Sequence, residues 1–175
     1  MAVKYPEGAT VFLEHMNDLF ALGVPGALVR DIILHAREYY KTNFVFQTKD
    51  PYRALEWRRT FRRNWMIGTT IESDRPMATT TAPSPEDRAC GMQAWEAEAP
   101  HVQRFVTIEP ILDFDVDRLL GLLRIARPDF VNIGADSKGS GLVEPSPGKV
   151  RDLLNGMAEA GLTIRKKNNL GRLLE

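Results

Sequence analysis

Short apolar runs rich in β-branched and aromatic residues alternate with segments of helical periodicity along the chain. Most of the runs are continuously apolar, which is typical of parallel strands covered on both faces. Strands and helices in alternation indicate βα units. Six strands are predicted, at Thr10–His15, Asn43–Thr48, Trp65–Ile71, Arg104–Glu109, Asp129–Gly134 and Thr163–Lys167.

Helices are predicted between these strands by two signals. Apolar residues recur at helical spacing after Pro25 and again after Asp115. The positions are Leu28, Ile32, Ala36 and Tyr39 in the first segment, and Val116, Leu119, Leu120 and Leu123 in the second. Three further helix starts carry a side-chain acceptor at the N-cap and a proline at the first helical position. They are Asp50-Pro51, Ser84-Pro85 and Ser146-Pro147.

The fold class that follows is α/β, a partial parallel (β/α) barrel of about six βα units forming one domain over residues 1–175. Six strands are too few for the closed eight-stranded TIM barrel. The segment Ser73–Ser84 has no apolar periodicity and is expected to be a surface loop between a strand and its helix. Such a loop either takes part in ligand binding or is a mobile connection between the strand and the helix.

The composition of the chain argues against several classes of function and of binding site. Lys plus Arg and Asp plus Glu both total 23, so net charge provides no long-range attraction to nucleic acid or an anionic membrane. No apolar run resembles a signal peptide or a membrane span, and a cytoplasmic location is expected. Cys90 is the single cysteine, which excludes an internal disulfide and a cysteine-rich zinc or iron–sulfur site.

Polar residues collect at the carboxyl ends of the predicted strands, where parallel α/β folds form ligand sites. They are Glu14, His15, Asn17, Asp18, Gln47, Lys49, Thr70, Glu72, Thr107, Glu109, Asn132, Asp136, Lys138, Lys166, Lys167 and Asn168. Because side chains alternate along a strand, Thr70 shares a face with Glu72, and Thr107 with Glu109. Carboxylates here could bind an amine, a hydroxyl or a metal, or act as acid and base. Alternatively, they cap a helix or pair with a lysine.

Two other segments could bind a ligand. The glycine-rich loop Gly134–Gly141 could present backbone N–H groups to an anion or a cofactor carboxylate, but it lacks the phosphate-loop spacing and is more typical of an ordinary flexible loop. The segment Trp57–Trp65 interleaves Arg58, Arg59, Arg62 and Arg63 with aromatic residues, which suits phosphate contacts and base stacking. A solvated helix face followed by a strand gives the same pattern. The three dispersed histidines form no metal motif.

Several segments resemble, in order and spacing, a family of radical-SAM-like proteins of phages and prokaryotes that is distantly similar to spore photoproduct lyases. The segments are FLEHMNDLF, NFVFQTKDP, GTTIES, FVTIEPILDFDVD, PDFVNIGADSKGSGLVEPS and NNLGRLL. Members of that family begin with one further strand and a three-cysteine loop, whose thiolates bind a [4Fe–4S] cluster on which S-adenosylmethionine is cleaved. This sequence starts after that unit, and Cys90 alone does not replace it.

The resemblance implies that the polar strand ends face a cavity for S-adenosylmethionine and substrate. The catalytic candidates are Glu14, Glu72, Glu109 and Asp136, and the cofactor-binding candidates are Asn17, Gln47, Thr70, Asn132 and Gly134.

Three functions remain open from the sequence. The first is an incomplete radical-SAM-like barrel that binds S-adenosylmethionine or substrate but does not hold the cluster alone. The second is a nucleic-acid-binding module that uses the Arg58–Arg63 segment. The third is a cluster-independent hydrolase or lyase that uses the carboxylates. The expected partners are a chain carrying the cysteine loop, or a second copy paired through the open edge at Thr10–His15.

Overall fold

The computed structural model describes residues 4–13, 17–77, 80–139 and 141–175. It contains one six-stranded, all-parallel sheet whose strands lie side by side in chain order. The strands are β1 (Thr10–Phe12), β2 (Asn43–Thr48), β3 (Met66–Thr70), β4 (Gln103–Ile108), β5 (Phe130–Ile133) and β6 (Ile164–Lys166). Each overlaps one of the six predicted strands, so the predicted α/β class and number of units are confirmed.

The strand order determines the shape of the molecule. Crossovers between parallel strands are right-handed, so strands added in one direction place their helices on one face of the sheet. The sheet curls into a half-barrel with an outer face under the helices and an inner, concave face. In the described chain, β1 and β6 are the two edge strands.

Within the described residues, five α-helices form the outer layer. They are α1 (Gly26–Glu38), α2 (Pro51–Leu55), α3 (Pro85–Glu98), α4 (Val116–Ala126) and α5 (Pro147–Glu159), with short 3-10 helices at Arg58–Thr60 and Asn168–Leu173. The three predicted N-caps are confirmed, because the side chains of Asp50, Ser84 and Ser146 each accept a hydrogen bond from a backbone N–H of the first helical turn. None of the helices in the described ranges has the length and apolar character that a bilayer crossing requires.

The main hydrophobic core lies between the outer face of the sheet and the helices. Its centre is aromatic: Trp65 packs against Phe46 and Phe61, whose ring centroids lie 5.3 and 5.4 Å away. The indole of Trp95 on α3 contacts Phe61 and donates a hydrogen bond to the Pro51 carbonyl at 2.9 Å. This polar contact anchors α3 on the start of α2.

The inner face has a different character, since no helix of the described chain covers it. A second, smaller apolar cluster of Val45, Met66, Phe105 and Phe130 lies there, and we call it the apolar floor. Polar side chains occupy the same face towards the carboxyl ends of the strands. Most residues of β2 to β5 are nevertheless buried on both faces of the sheet, in agreement with the expectation from their apolar runs. The apolar runs arise from the outer core and from this floor.

Gly68 is required by the packing of the floor. It is paired with Phe105 across β3 and β4, and a Cβ atom at Gly68 would lie 2.3 Å from the Phe105 ring. Phe105 is 2% exposed and its ring stacks on Phe130 with the centroids 5.3 Å apart, so a shift of the ring would disturb this stack. We therefore expect Gly68→Ala to lower the free energy of unfolding by about 1–3 kcal/mol through overpacking, measured by urea denaturation.

The matched control is Gly121→Ala on α4, where no atom outside the helix lies within 4 Å of the position that the alanine methyl group would occupy. Alanine favours the helix over glycine, so this change should raise stability by about 0.5–1 kcal/mol. Equal effects of the two substitutions would contradict the packing assigned to Gly68.

Candidate functional site

A cavity of about 700 Å³ occupies the concave face and is lined by residues from all six strands. Its base is the apolar floor, and its upper wall is formed by polar side chains at the carboxyl ends of the strands. Volume and lining are those of small-molecule sites, which combine an apolar surface with a few placed polar groups.

Four neutral polar side chains form a hydrogen-bonded row across β2 to β5, which we call the polar belt. The Gln47 amide donates to the Thr70 hydroxyl at 3.0 Å and accepts from the Thr107 hydroxyl at 3.2 Å. The Asn132 amide donates to the same Thr107 oxygen at 3.5 Å. A primary amide carries two N–H groups, and the described residues accept from one of them in Gln47 and in Asn132, so each side chain has a second N–H for a ligand. The belt is thus ordered by its own bonds and still able to bind.

Glu109 lies above the belt, where its carboxylate is held by two groups from the end of the chain. Lys167 Nζ is 3.2 Å from one oxygen, and the Asn169 amide donates to the other at 3.5 Å. A Cβ atom at Gly134 would lie 2.8 Å from that second oxygen. The N–H of Gly134 donates to the Ile108 carbonyl and is therefore already used within the sheet. The observed role of Gly134 is to leave space for the Glu109 carboxylate.

A second cavity of about 740 Å³ adjoins the first at the carboxyl ends of the strands. Three predicted catalytic residues, Glu72, Glu109 and Asp136, line this cavity together. Lys49, Glu109 and Lys167 line both cavities and form the boundary between them. Glu14, the fourth predicted catalytic residue, lies outside the described residues.

The predicted cofactor-binding residues also converge in large part. Asn17, Gln47, Thr70 and Asn132 line the concave cavity, whereas Gly134 does not.

Asp18, beside Asn17, accepts hydrogen bonds from the backbone N–H groups of Phe20 and Lys49. It thereby fixes the segment after β1 against the end of β2.

Glu72 has a buried partner that sequence reasoning missed. Its carboxylate lies 2.6 Å from Lys49 Nζ and 3.0 Å from the guanidinium of Arg88, whose side chain is only 4% exposed. Arg88 also donates to the carbonyls of Thr70 and Pro83. The available signal was a charged residue at an apolar position of α3, since Arg88, Met92 and Trp95 recur at helical spacing and are buried.

These contacts bear on the two interpretations of the strand-end carboxylates, acid–base catalysis and pairing with a lysine. Acid–base use through mutual repulsion requires carboxylates close to each other. The structure instead pairs Glu72 with Lys49 and Arg88, and Glu109 with Lys167. Glu72 and Glu109 therefore form the ion pairs with lysines that the alternative expects, and catalysis by these carboxylates stays a prediction from the sequence.

Asp113 connects three loops around the mouth of the site. Its carboxylate accepts from Lys149 at 2.6 Å and from Arg75 at 2.8 Å, and its carbonyl accepts from the Ser73 hydroxyl. Its N–H donates to the Val143 carbonyl. The hydrogen bond from Lys149, reinforced by Arg75, lowers the pKa of the Asp113 carboxyl below its ordinary value against an opposing effect of burial.

Two of the three aromatic side chains in the arginine-rich segment are not available for base stacking, and the third, Trp57, is half-buried. Phe61 and Trp65 are 4% and 0% exposed and belong to the core, so their rings are not accessible to bases. Arg58 pairs with Glu98 at 2.6 Å, and Arg62 donates to the Arg37 carbonyl. The segment precedes β3 and lies at the opposite end of the sheet from the polar belt. Nucleic-acid binding remains a prediction from the sequence.

The described residues contain no group of three or more His, Cys, Asp or Glu side chains placed to hold a metal ion. Cys90 is half-buried on α3 and lines neither cavity. His101 contacts the Phe61 carbonyl, and His35 packs on Tyr5 and Tyr39. His15 lies outside the described residues.

Comparison of the chain with models of known families, with curated proteins and with solved structures found no match. The resemblance to radical-SAM-like proteins stays an expectation from the sequence. The function of the chain is therefore inferred from the geometry of its concave face.

The ion pairs of Glu72 predict that replacing its carboxylate with a neutral amide strongly lowers the free energy of unfolding. Glu72→Gln leaves the buried Arg88 guanidinium without a counter-charge, and we expect the free energy of unfolding to fall by about 3 kcal/mol. Glu96→Gln is the control, because its pair with Arg127 is on the surface and should be worth under about 1 kcal/mol. Urea denaturation of both variants tests this, and similar losses would contradict it.

The lowered pKa of Asp113 predicts a pH dependence of stability. Asp113 is ionised and bonded to Lys149 above its unfolded pKa of about 4, and this contribution disappears as the pH falls through the lower, folded value. The stability difference between the wild type and Lys149→Gln should therefore be constant near neutral pH and shrink below about pH 4. Urea denaturation from pH 7 to pH 3 measures it. A difference unchanged across that range would contradict the pairing.

Proposed function

We propose that this chain is a radical-SAM-like half-barrel that binds S-adenosylmethionine, or a substrate of similar polarity, on its concave face at the carboxyl half of the strands. The observation that carries the proposal is the cavity of about 700 Å³, which all six strands line and in which the polar belt lies above the apolar floor.

The residues of the cavity fit the parts of S-adenosylmethionine. The apolar floor suits the adenine ring, because planar rings pack favourably on aromatic and aliphatic surfaces. The free amide N–H groups of Gln47 and Asn132 suit ribose hydroxyls or ring nitrogens. Glu109, although it is paired with Lys167, also lines the cavity and offers a carboxylate oxygen to the ammonium group, and the cavity contains cations for the carboxylate. When bound, S-adenosylmethionine supplies an activated sulfonium centre.

An iron–sulfur cluster does not fit the residues of this chain. A [4Fe–4S] cluster is held by cysteine thiolates, and the one cysteine, Cys90, lies on α3 in the outer layer. The proposal therefore comprises ligand binding by this chain and contains no redox step. A cluster would enter only with thiolates from another chain or unit.

The experiment is isothermal titration of the purified protein with S-adenosylmethionine. We expect saturable binding, and about a three- to tenfold weaker affinity for Gln47→Ala and for Asn132→Ala, because each removes one or two hydrogen bonds to the ligand. The matched control is Gln93→Ala, an exposed amide on α3 that should leave affinity unchanged.

Far- and near-ultraviolet circular dichroism establishes that each variant is folded before titration. Absence of binding to the wild type at millimolar ligand, or equal affinity of the belt variants and the control, would overturn the proposal.

A further inference from the structure

Arg165 on β6 holds its guanidinium against an aromatic ring inside the concave cavity. Its Cζ atom lies 3.4 Å from the centroid of the Phe130 ring, and the residue lines the cavity. Among the described residues, no carboxylate forms an ion pair with Arg165, whereas Lys49 pairs with Glu72 and Lys167 with Glu109. Within that part of the chain, Arg165 is thus the cavity cation whose charge is not matched by a neighbour.

The ring under Arg165 is itself fixed by its neighbours. Phe130 stacks on Phe105 with a centroid distance of 5.3 Å and an angle of 5° between the ring planes. Phe105 lies over Gly68, and Gly68, Phe105 and Phe130 are direct partners across β3, β4 and β5. The side chains of Phe105, Phe130 and Arg165 therefore form a continuous stack across the sheet.

This stack orients the guanidinium before any ligand arrives. One face of the guanidinium lies on the ring. The N–H groups point outwards from its edge, in the plane of the guanidinium, and are not covered by the ring. A guanidinium fork matches the two oxygens of a carboxylate or phosphate, and stacking reduces the freedom lost on binding. The other charges of the cavity are compensated: both oxygens of Asp18 accept backbone N–H bonds, and Glu109 pairs with Lys167.

We infer that Arg165 binds an oxyanion group, carboxylate or phosphate, on the small ligand of the concave cavity. The inference rests on the proposed function in one respect, that this cavity holds a small ligand. It adds the chemical class of the group recognised at β6 and the residue that recognises it.

The test compares probes that differ in one anionic group, at constant ionic strength. S-adenosylmethionine is compared with its decarboxylated form, AMP with adenosine, and inorganic phosphate is titrated alone. We expect Arg165→Gln to weaken binding of the probe that carries the anionic group by about tenfold or more, and not to weaken binding of the counterpart that lacks this group. Arg165→Lys should fall between, because it keeps the charge and loses the fork.

Arg124→Gln is the matched control, since Arg124 is an exposed arginine on α4 in the outer layer. A loss confined to S-adenosylmethionine identifies a carboxylate as the group bound, and a loss confined to AMP or phosphate identifies a phosphate. Either result supports the inference.

Two results overturn it. One is equal affinity of the wild type and Arg165→Gln for every probe, and the other is binding of none of the probes by the wild type. Binding of S-adenosylmethionine by the wild type, together with equal affinity of the wild type and Arg165→Gln for every probe, refutes the inference alone. Phosphate binding that depends on Arg165, without any binding of S-adenosylmethionine, refutes the proposed function alone.

Discussion

The right-handed crossover between neighbouring parallel strands is the constraint on which the rest of this structure depends. Because the six strands lie in chain order, each crossover places its helix on the same face of the sheet. The outer face is buried under those helices, and the inner face is left for a cavity. Alternation of side chains then assigns Phe46 and Ile67 to the core, and Gln47 and Thr70 to the cavity.

Charge links the helix layer to the site. Arg88 on α3 reaches through the core to Glu72, and Glu72 in turn holds Lys49 at the boundary of the two cavities. On the opposite side, Asn169 and Lys167 hold Glu109 beside Gly134. Glu72 and Glu109 are thus each paired with a lysine, and both lysines, Lys49 and Lys167, line the concave cavity.

Much of the fold was predictable because its signals are local. Continuous apolar runs marked the strands, and Asp50, Ser84 and Ser146 marked helix starts by capping chemistry that acts within one turn. The convergence of Glu72, Glu109 and Asp136 followed from the parallel topology. The pairing of Glu72 with Arg88, the stack from Gly68 to Arg165 and the burial of Phe61 depend on contacts between distant segments. Periodicity carries no information on such contacts.

The central claim is that a small ligand binds on the concave face through the polar belt. Two-dimensional NMR of side-chain amide groups tests it most directly, because Gln47 and Asn132 each give a pair of N–H signals at the belt. On titration with S-adenosylmethionine, we expect saturable shifts of both pairs and no shift of Gln93 on α3. Shifts confined to residues of the outer layer, or belt signals that do not move, would contradict it.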